Sequence, residues 1–170
     1  MCDYLSRWEV LSITPPAFCH LISISDDRDD QIQVDESRWA SVSFHHFVDA
    51  GFDEDVLEIY GSDFERHYAD YFLAHKADAL RRRLDELAAA SQDIVINCQA
   101  GRSRSAAVAM YLNRYHGYSL DKPTPDANLC VYRMLVKEPA LMAAYQAVTT
   151  PVPAKHPLRI RRWWDSLFNT

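Results

Sequence analysis

Apolar and polar positions along the chain alternate in short stretches that read as strands, separated by longer stretches with a helical repeat. Residues 8–13, Trp8-Glu9-Val10-Leu11-Ser12-Ile13, alternate well enough to predict a first strand, closed by Pro15-Pro16. Residues 20–25, His20-Leu21-Ile22-Ser23-Ile24-Ser25, predict a second strand, with His20 read as its first residue rather than as a ligand. It opens into the acidic run Asp26-Asp27-Arg28-Asp29-Asp30, expected as a solvated loop whose place after a strand end puts it within reach of a site there. Residues 39–47 predict a third strand, in which the adjacent His45 and His46 point to opposite faces and so do not share one metal ion.

Ser62-Asp63-Phe64-Glu65 has the form of a capping box, with Ser first and Glu three positions later. Behind it Phe64, Tyr68, Tyr71, Phe72, Leu80, Leu84 and Leu87 follow a helical period, predicting a helix that bends near His75-Lys76. Its apolar stripe is core. Arg81-Arg82-Arg83 is read as a solvated face with one member packing, or else as a basic patch for phosphorylated substrates. Ile94-Val95-Ile96 predicts a short buried strand, and a run free of Gly and Pro predicts a helix from about residue 103 to Gly117. Thr124-Pro125 predicts the start of another helix, with Thr as N-cap. Pro139, Pro151, Pro153 and Pro157 then punctuate a region of short elements. Over residues 158–170, Ile160, Trp163, Trp164, Leu167 and Phe168 fall at helical spacing opposite Arg159, Arg161, Arg162 and Asp165. This predicts a terminal amphipathic helix, docked on the domain or presented to a partner or an anionic membrane.

A length of 170 residues fits a single domain spanning residues 1–170, long enough for a real core. The net charge of -6 argues against a nucleic-acid partner. No signal-peptide pattern and no bilayer-spanning apolar run is present, so the expected location is cytoplasmic. Cys2, Cys19, Cys98 and Cys130 lack paired metal spacing and read as free thiols; neither a metal nor a cofactor is expected.

The candidate chemistry lies where the strand at residues 94–96 meets the helix that follows it. Between them run Asn97-Cys98-Gln99-Ala100-Gly101-Arg102-Ser103-Arg104-Ser105. A strand, a tight loop and a helix start converge backbone N–H groups on one point, which suits an anion. A thiol there has its pKa drawn down from ~8.5 toward ~3.5–7.5 by the helix start and nearby cations. Arg104 can set its guanidinium against two oxygens of a phosphate while Cys98 attacks phosphorus. The amides of Gln99, Ala100, Gly101, Arg102 and Ser103 would hold the equatorial oxygens, and the hydroxyl of Ser105 would stabilise the sulfur as it leaves.

Cys98-x5-Arg104-Ser105 resembles the signature of cysteine-dependent protein-tyrosine and dual-specificity phosphatases, and Gly101-Arg102-Ser103-Arg104-Ser105 is closest to the small dual-specificity type. The resemblance covers roughly residues 20–136 and is specific at the loop. One departure is Asn97, where that family usually has a histidine that helps set the loop and the thiol pKa. The resemblance implies a general acid on the loop after the corresponding strand, here Asp49, with Asp53, Asp55 and Asp63 as competitors. Asn128, Val131 and Leu135 are similar to the family's Pro-Asn helix, although Asp126-Ala127 separate the Pro from the Asn here.

The expected fold is therefore α/β, with a central, mainly parallel sheet flanked by helices and a phosphatase-like phosphate-binding loop between strand and helix. The expected activity is hydrolysis of phosphate monoesters on phosphorylated protein substrates (phosphotyrosine, with phosphoserine or phosphothreonine open) through a phosphocysteine. The alternatives are a catalytically silent phosphate-binding module, or a phosphatase acting on a phosphoinositide or an RNA 5′-phosphate.

Overall fold

Five consecutive residues, Ile94–Cys98, are all buried, as a strand covered on both faces and flanked on both edges must be. In the computed structural model, which describes residues 1–150, this strand is β4 of a four-stranded sheet. The other strands are β1 (Cys2–Ser6), β2 (His20–Ser25) and β3 (Ser41–His46). Their order is β1-β4-β2-β3 and every pairing is parallel, with Ser6 opposite Cys98 and Ser23 opposite Asn97. All strands therefore end at the same edge, the edge at which open parallel sheets carry their ligands.

The two faces are covered differently. Ile94, Ile96 and Cys98 share one core with Ile22, Ile24, Tyr4 and the buried residues of α4 (Ala74–Ala89), α5 (Arg104–His116), α6 (Leu129–Leu135) and α7 (Pro139–Thr149). Val95 faces the opposite way, into a smaller core of Leu5, Val10, Cys19, Leu21, Ile32 and Trp39. That side is closed by the short α1 (Arg7–Ser12) and by the segment between β2 and β3.

The structure corrects several expectations. Residues 8–13 are not a strand. Ser6 accepts a hydrogen bond from the Glu9 N–H and Glu9 reaches back to the Ser6 N–H, so a capping box starts α1 there. The first strand lies just before it, at Cys2–Ser6. The box expected at Ser62 does not form: Ser62 sits in a single 3-10 turn after α2 (Glu54–Tyr60), which Asp53 caps. The single bent helix expected behind it is two, α3 (Phe64–His67) and α4, separated at residues 68–73 rather than bent at His75-Lys76. That break is put to use, since Val48 donates to the Asp70 carbonyl and Phe72 packs on Phe47 with ring centroids 4.3 Å apart.

Thr124 does not cap a helix; Asn128 does, accepting from the Val131 N–H at the start of α6. Pro139 opens an eleven-residue helix rather than a region of short elements, because Glu138 caps it and Pro suits the first turn. Arg81 and Arg83 are both engaged, Arg81 on the carbonyls of Met134 and Leu135 and Arg83 on the Ser41 hydroxyl. The amphipathic helix expected at residues 158–170 lies outside the described residues. Among the described residues no helix is long and apolar enough to cross a membrane.

Candidate active site

Cys98 closes β4 at the carboxyl edge of the sheet, and α5 begins six residues later at Arg104. The intervening loop is clamped from both sides. The Arg7 N–H of α1 donates to the Gln99 carbonyl at 3.3 Å, and the Asn128 N–H donates to the Ser103 carbonyl at 3.2 Å. Gly101 takes φ +69°, and a Cβ there would lie 2.2 Å from the Ser6 nitrogen. Only glycine lets this loop press against the end of β1. Gln99, Ala100 and Arg102 keep their side chains exposed, so what the loop directs inward is backbone.

Cys98 is 1% exposed, and its Sγ shares a 3.2 Å hydrogen bond with the Ser105 hydroxyl. Burial by itself pushes the thiol up. The Ser105 hydroxyl and the backbone N–H groups of Ser105, Gly101 and Ser103 act against burial and leave the thiol below its ordinary value. Asn97, the preceding residue, alternates to the other face of the sheet; it is 2% exposed and its Oδ1 finds no donor.

Arg104 is buried beneath the same loop. Its Nη1 donates to Asp26 Oδ1 and to the Phe47 carbonyl, each at 2.6 Å. Its Nε, also buried, has no hydrogen-bond partner. An unpartnered donor on a buried guanidinium costs free energy and marks a position that an acceptor would satisfy.

Asp49 follows β3 and reaches the loop: its Oδ1 accepts from the Ser103 hydroxyl at 2.7 Å and from Asn128 Nδ2 at 3.0 Å. Its Oδ2 is 3.9 Å from Arg104 Nε. The competing acids are elsewhere engaged or exposed. Asp53 caps α2, Asp63 pairs with Arg66 at 3.2 Å, and Asp55 is exposed on α2. Among the candidate acids it is Asp49 that the fold brings beside Ser103 and Arg104 of the loop that follows Cys98.

Two contributors escape a reading of the chain by local pattern. Asp26 belongs to the acidic run after β2, yet it is the partner of a buried arginine. Asn128 caps α6, holds the loop through its backbone N–H, and holds Asp49 and the Ala50 carbonyl through its amide. The signal for Asp26 is its position at the carboxyl end of a strand neighbouring β4; for Asn128 it is a capping residue type ahead of an apolar run, beside the likeness to a Pro-Asn helix already noted. The Ser25 hydroxyl donates to the Asp27 carbonyl and shares a 3.0 Å hydrogen bond with His46 Nδ1. His45 is held neutral, its pKa brought down to about 4 by burial, then by His46 and Arg83. Among the described residues no group of three or more His, Cys, Asp or Glu side chains is gathered to hold a metal ion. Neither a protein-family model nor a curated protein matches this chain.

Proposed function

We propose that the protein hydrolyses phosphate monoesters on protein substrates, phosphotyrosine first among them, through a phosphocysteine at Cys98. The observation that carries this reading is the net lowering of a buried thiol by one hydroxyl and three backbone N–H groups directed at it. A thiolate is the nucleophilic form, and amides already aimed at a negative sulfur are equally suited to the oxygens of a phosphate.

In the first step the Cys98 thiolate attacks phosphorus as the bond to the leaving oxygen breaks. That oxygen takes the proton from Asp49 Oδ2, the oxygen not used by Ser103 and Asn128. The loop amides and the Nε side of Arg104 hold the non-bridging oxygens. Water then attacks the phosphocysteine, passing a proton to Asp49. The S–P bond breaks, inorganic phosphate leaves, and the Ser105 hydroxyl, 3.2 Å from the sulfur, hydrogen-bonds the thiolate as it re-forms. The test is hydrolysis of para-nitrophenyl phosphate by the wild type beside Cys98→Ser. Phosphate release by the wild type and none by the variant is the expected result. A wild type that binds vanadate without turning over any ester would mean a binding module in place of an enzyme.

A further inference from the structure

A buried guanidinium has a front and a back. In Arg104 both protons of Nη1 are committed, one to Asp26 Oδ1 and one to the Phe47 carbonyl, each at 2.6 Å. These acceptors follow the ends of β2 and β3, the two strands on one side of β4. Two bonds to one nitrogen fix the guanidinium plane and its rotation. The edge left over is the Nε–Nη2 edge, where two N–H bonds run parallel and match two oxygens of one anion. On that edge Nε is buried and has no partner, with Asp49 Oδ2 at 3.9 Å lying beyond hydrogen-bond reach.

Asp26 is itself held in place. The acidic run it begins is the solvated loop expected, and it is braced: the Ser25 hydroxyl donates to the Asp27 carbonyl at 2.7 Å, and Asp27 Oδ1 accepts from the Asp30 N–H at 2.9 Å. Asp30 in turn receives Arg7 Nη1 at 2.8 Å, tying the run to α1, the helix whose first N–H also holds Gln99. The Asp26 side chain is 53% exposed and that of Arg104 3% exposed, so the carboxylate enters from the solvent edge to meet a cation already inside.

We infer that Asp26 is the positioning residue for Arg104: by pinning Nη1 from behind, it turns the Nε–Nη2 edge toward the oxyanion above the Cys98 loop. The inference rests on the phosphate reading of that loop. It assigns no proton transfer to Asp26, which does not touch substrate.

The experiment measures orthovanadate inhibition constants and kcat/KM on para-nitrophenyl phosphate for the wild type, Asp26→Ala and Asp26→Asn. The same two substitutions are made in an Arg104→Lys background, and Cys98 alkylation by iodoacetamide is followed against pH. Asp26→Ala is expected to weaken vanadate binding and lower kcat/KM on the order of a hundredfold, the loss typical of a misplaced contact group. Asp26→Asn keeps an oxygen for Nη1, loses less, and covers the case in which the alanine variant does not fold. Neither change has an effect once Arg104 is Lys, and the alkylation profile stays where it was. Unchanged vanadate affinity in both single variants overturns the inference, as do equal losses in the Arg104→Lys background or a displaced alkylation profile. An active wild type with indifferent Asp26 variants sinks this inference alone; a wild type that neither cleaves the ester nor binds vanadate sinks the phosphate reading with it.

Discussion

Cys2 opens β1 and Cys19 immediately precedes β2, both at the amino edge of the sheet, whereas Cys98 closes β4 at the carboxyl edge. All three are buried to about the same degree. Burial, the largest influence on Cys2, pushes its thiol up to about 12, with the Asp3 carboxylate adding to it. Cys19 is pushed up to about 11 by burial and then by Asp93, although backbone groups of Val95 and His20 pull the other way. Cys98 meets the same burial and still ends below its ordinary value. Two backbone groups do not offset burial at Cys19; three N–H groups and a hydroxyl do at Cys98. What differs is the supply of donors. Where a parallel strand runs out into a loop and a helix start, amides without a strand partner are free to turn on one atom. At the amino edge they are spent on neighbouring strands.

The largest effect that sharpens this contrast is loss of the nucleophile. Cys98→Ser should cut para-nitrophenyl phosphate turnover by roughly three orders of magnitude or more, as removal of a covalent nucleophile does. Cys2→Ser and Cys19→Ser should turn over like the wild type once folded, because their thiols stay protonated. Comparable losses in the amino-edge variants would erase the distinction between the two edges.

Acid chemistry should separate cleanly from thiol activation. Asp49→Asn should lower the rate on phosphotyrosine by about 10²–10³-fold, less on esters with good leaving groups, and flatten the basic limb of the pH profile. Alkylation of Cys98 should be unaffected, since the donors to its sulfur are Ser105, Gly101 and Ser103. Should Asp53→Asn or Asp63→Asn show this behaviour and Asp49→Asn not, the acid has been misassigned.

The contrast can be abolished from the backbone. A Cβ at residue 101 would lie 2.2 Å from the Ser6 nitrogen and 2.5 Å from the Leu5 carbonyl carbon, so Gly101→Ala must displace the loop. Its amide is one of the donors to Cys98, whose thiol should then rise toward the behaviour of Cys19. The measurement is alkylation rate against pH. In the wild type Cys98 should react as pH rises through a value below 9.0, Cys19 only toward about 11 and Cys2 toward about 12. In Gly101→Ala the Cys98 curve moves to higher pH, and turnover falls on the order of a hundredfold. The linkage to stability has opposite signs at the two edges. Below 9.0 the native Cys98 releases its proton before the unfolded chain does, so its contribution grows as pH rises through that window and is lost as pH falls. Between 9.0 and about 12 the unfolded chain ionises at Cys2 while the native thiol does not, so stability falls with rising pH there.

Local pattern carries some of these features and not others. The run His20–Ser25 and the buried Ile94–Cys98 declare themselves because alternation and β-branched residues are properties of neighbours in sequence. Gly117 likewise marks the end of α5, where it adopts φ +70°. The capping pattern Ser-x-x-Glu occurs at Ser6 and again at Ser62, and tertiary context decides between them. At Ser6 the preceding strand pins the chain and both bonds form; at Ser62 the preceding Gly61 turns the chain into a 3-10 turn instead. The strand β1 is obscured by Asp3 in a five-residue element, too short for alternation to register. The loop of the candidate site is legible because its parts are contiguous. Its supports are not: Asp26 meets Arg104 across 78 positions and Asn128 meets Asp49 across 79, and no periodicity encodes such pairings.

The smallest effect concerns Asn97, which stands beside Cys98 in sequence and on the opposite face of the sheet in space. Its Oδ1 is buried without a donor, and Asn97 is not among the groups that move the Cys98 thiol. A histidine in its place could carry a positive charge behind the thiolate, but the strand backbone would separate the two. Asn97→His should therefore move the Cys98 alkylation curve to slightly lower pH, raising the rate near neutrality by a few-fold at most, well under the ~1.36 kcal/mol that one pKa unit represents. The sign follows from charge: a nearby cation favours the thiolate and leaves the protonated thiol unaffected. Coincident curves would mean that the loop amides and Ser105 alone set the thiol, the strongest form of the contrast with Cys19. A variant curve displaced to higher pH would mean instead that the wild-type amide contributes to loop geometry. Residue 97 would then join Gly101 among the positions that aim the donors.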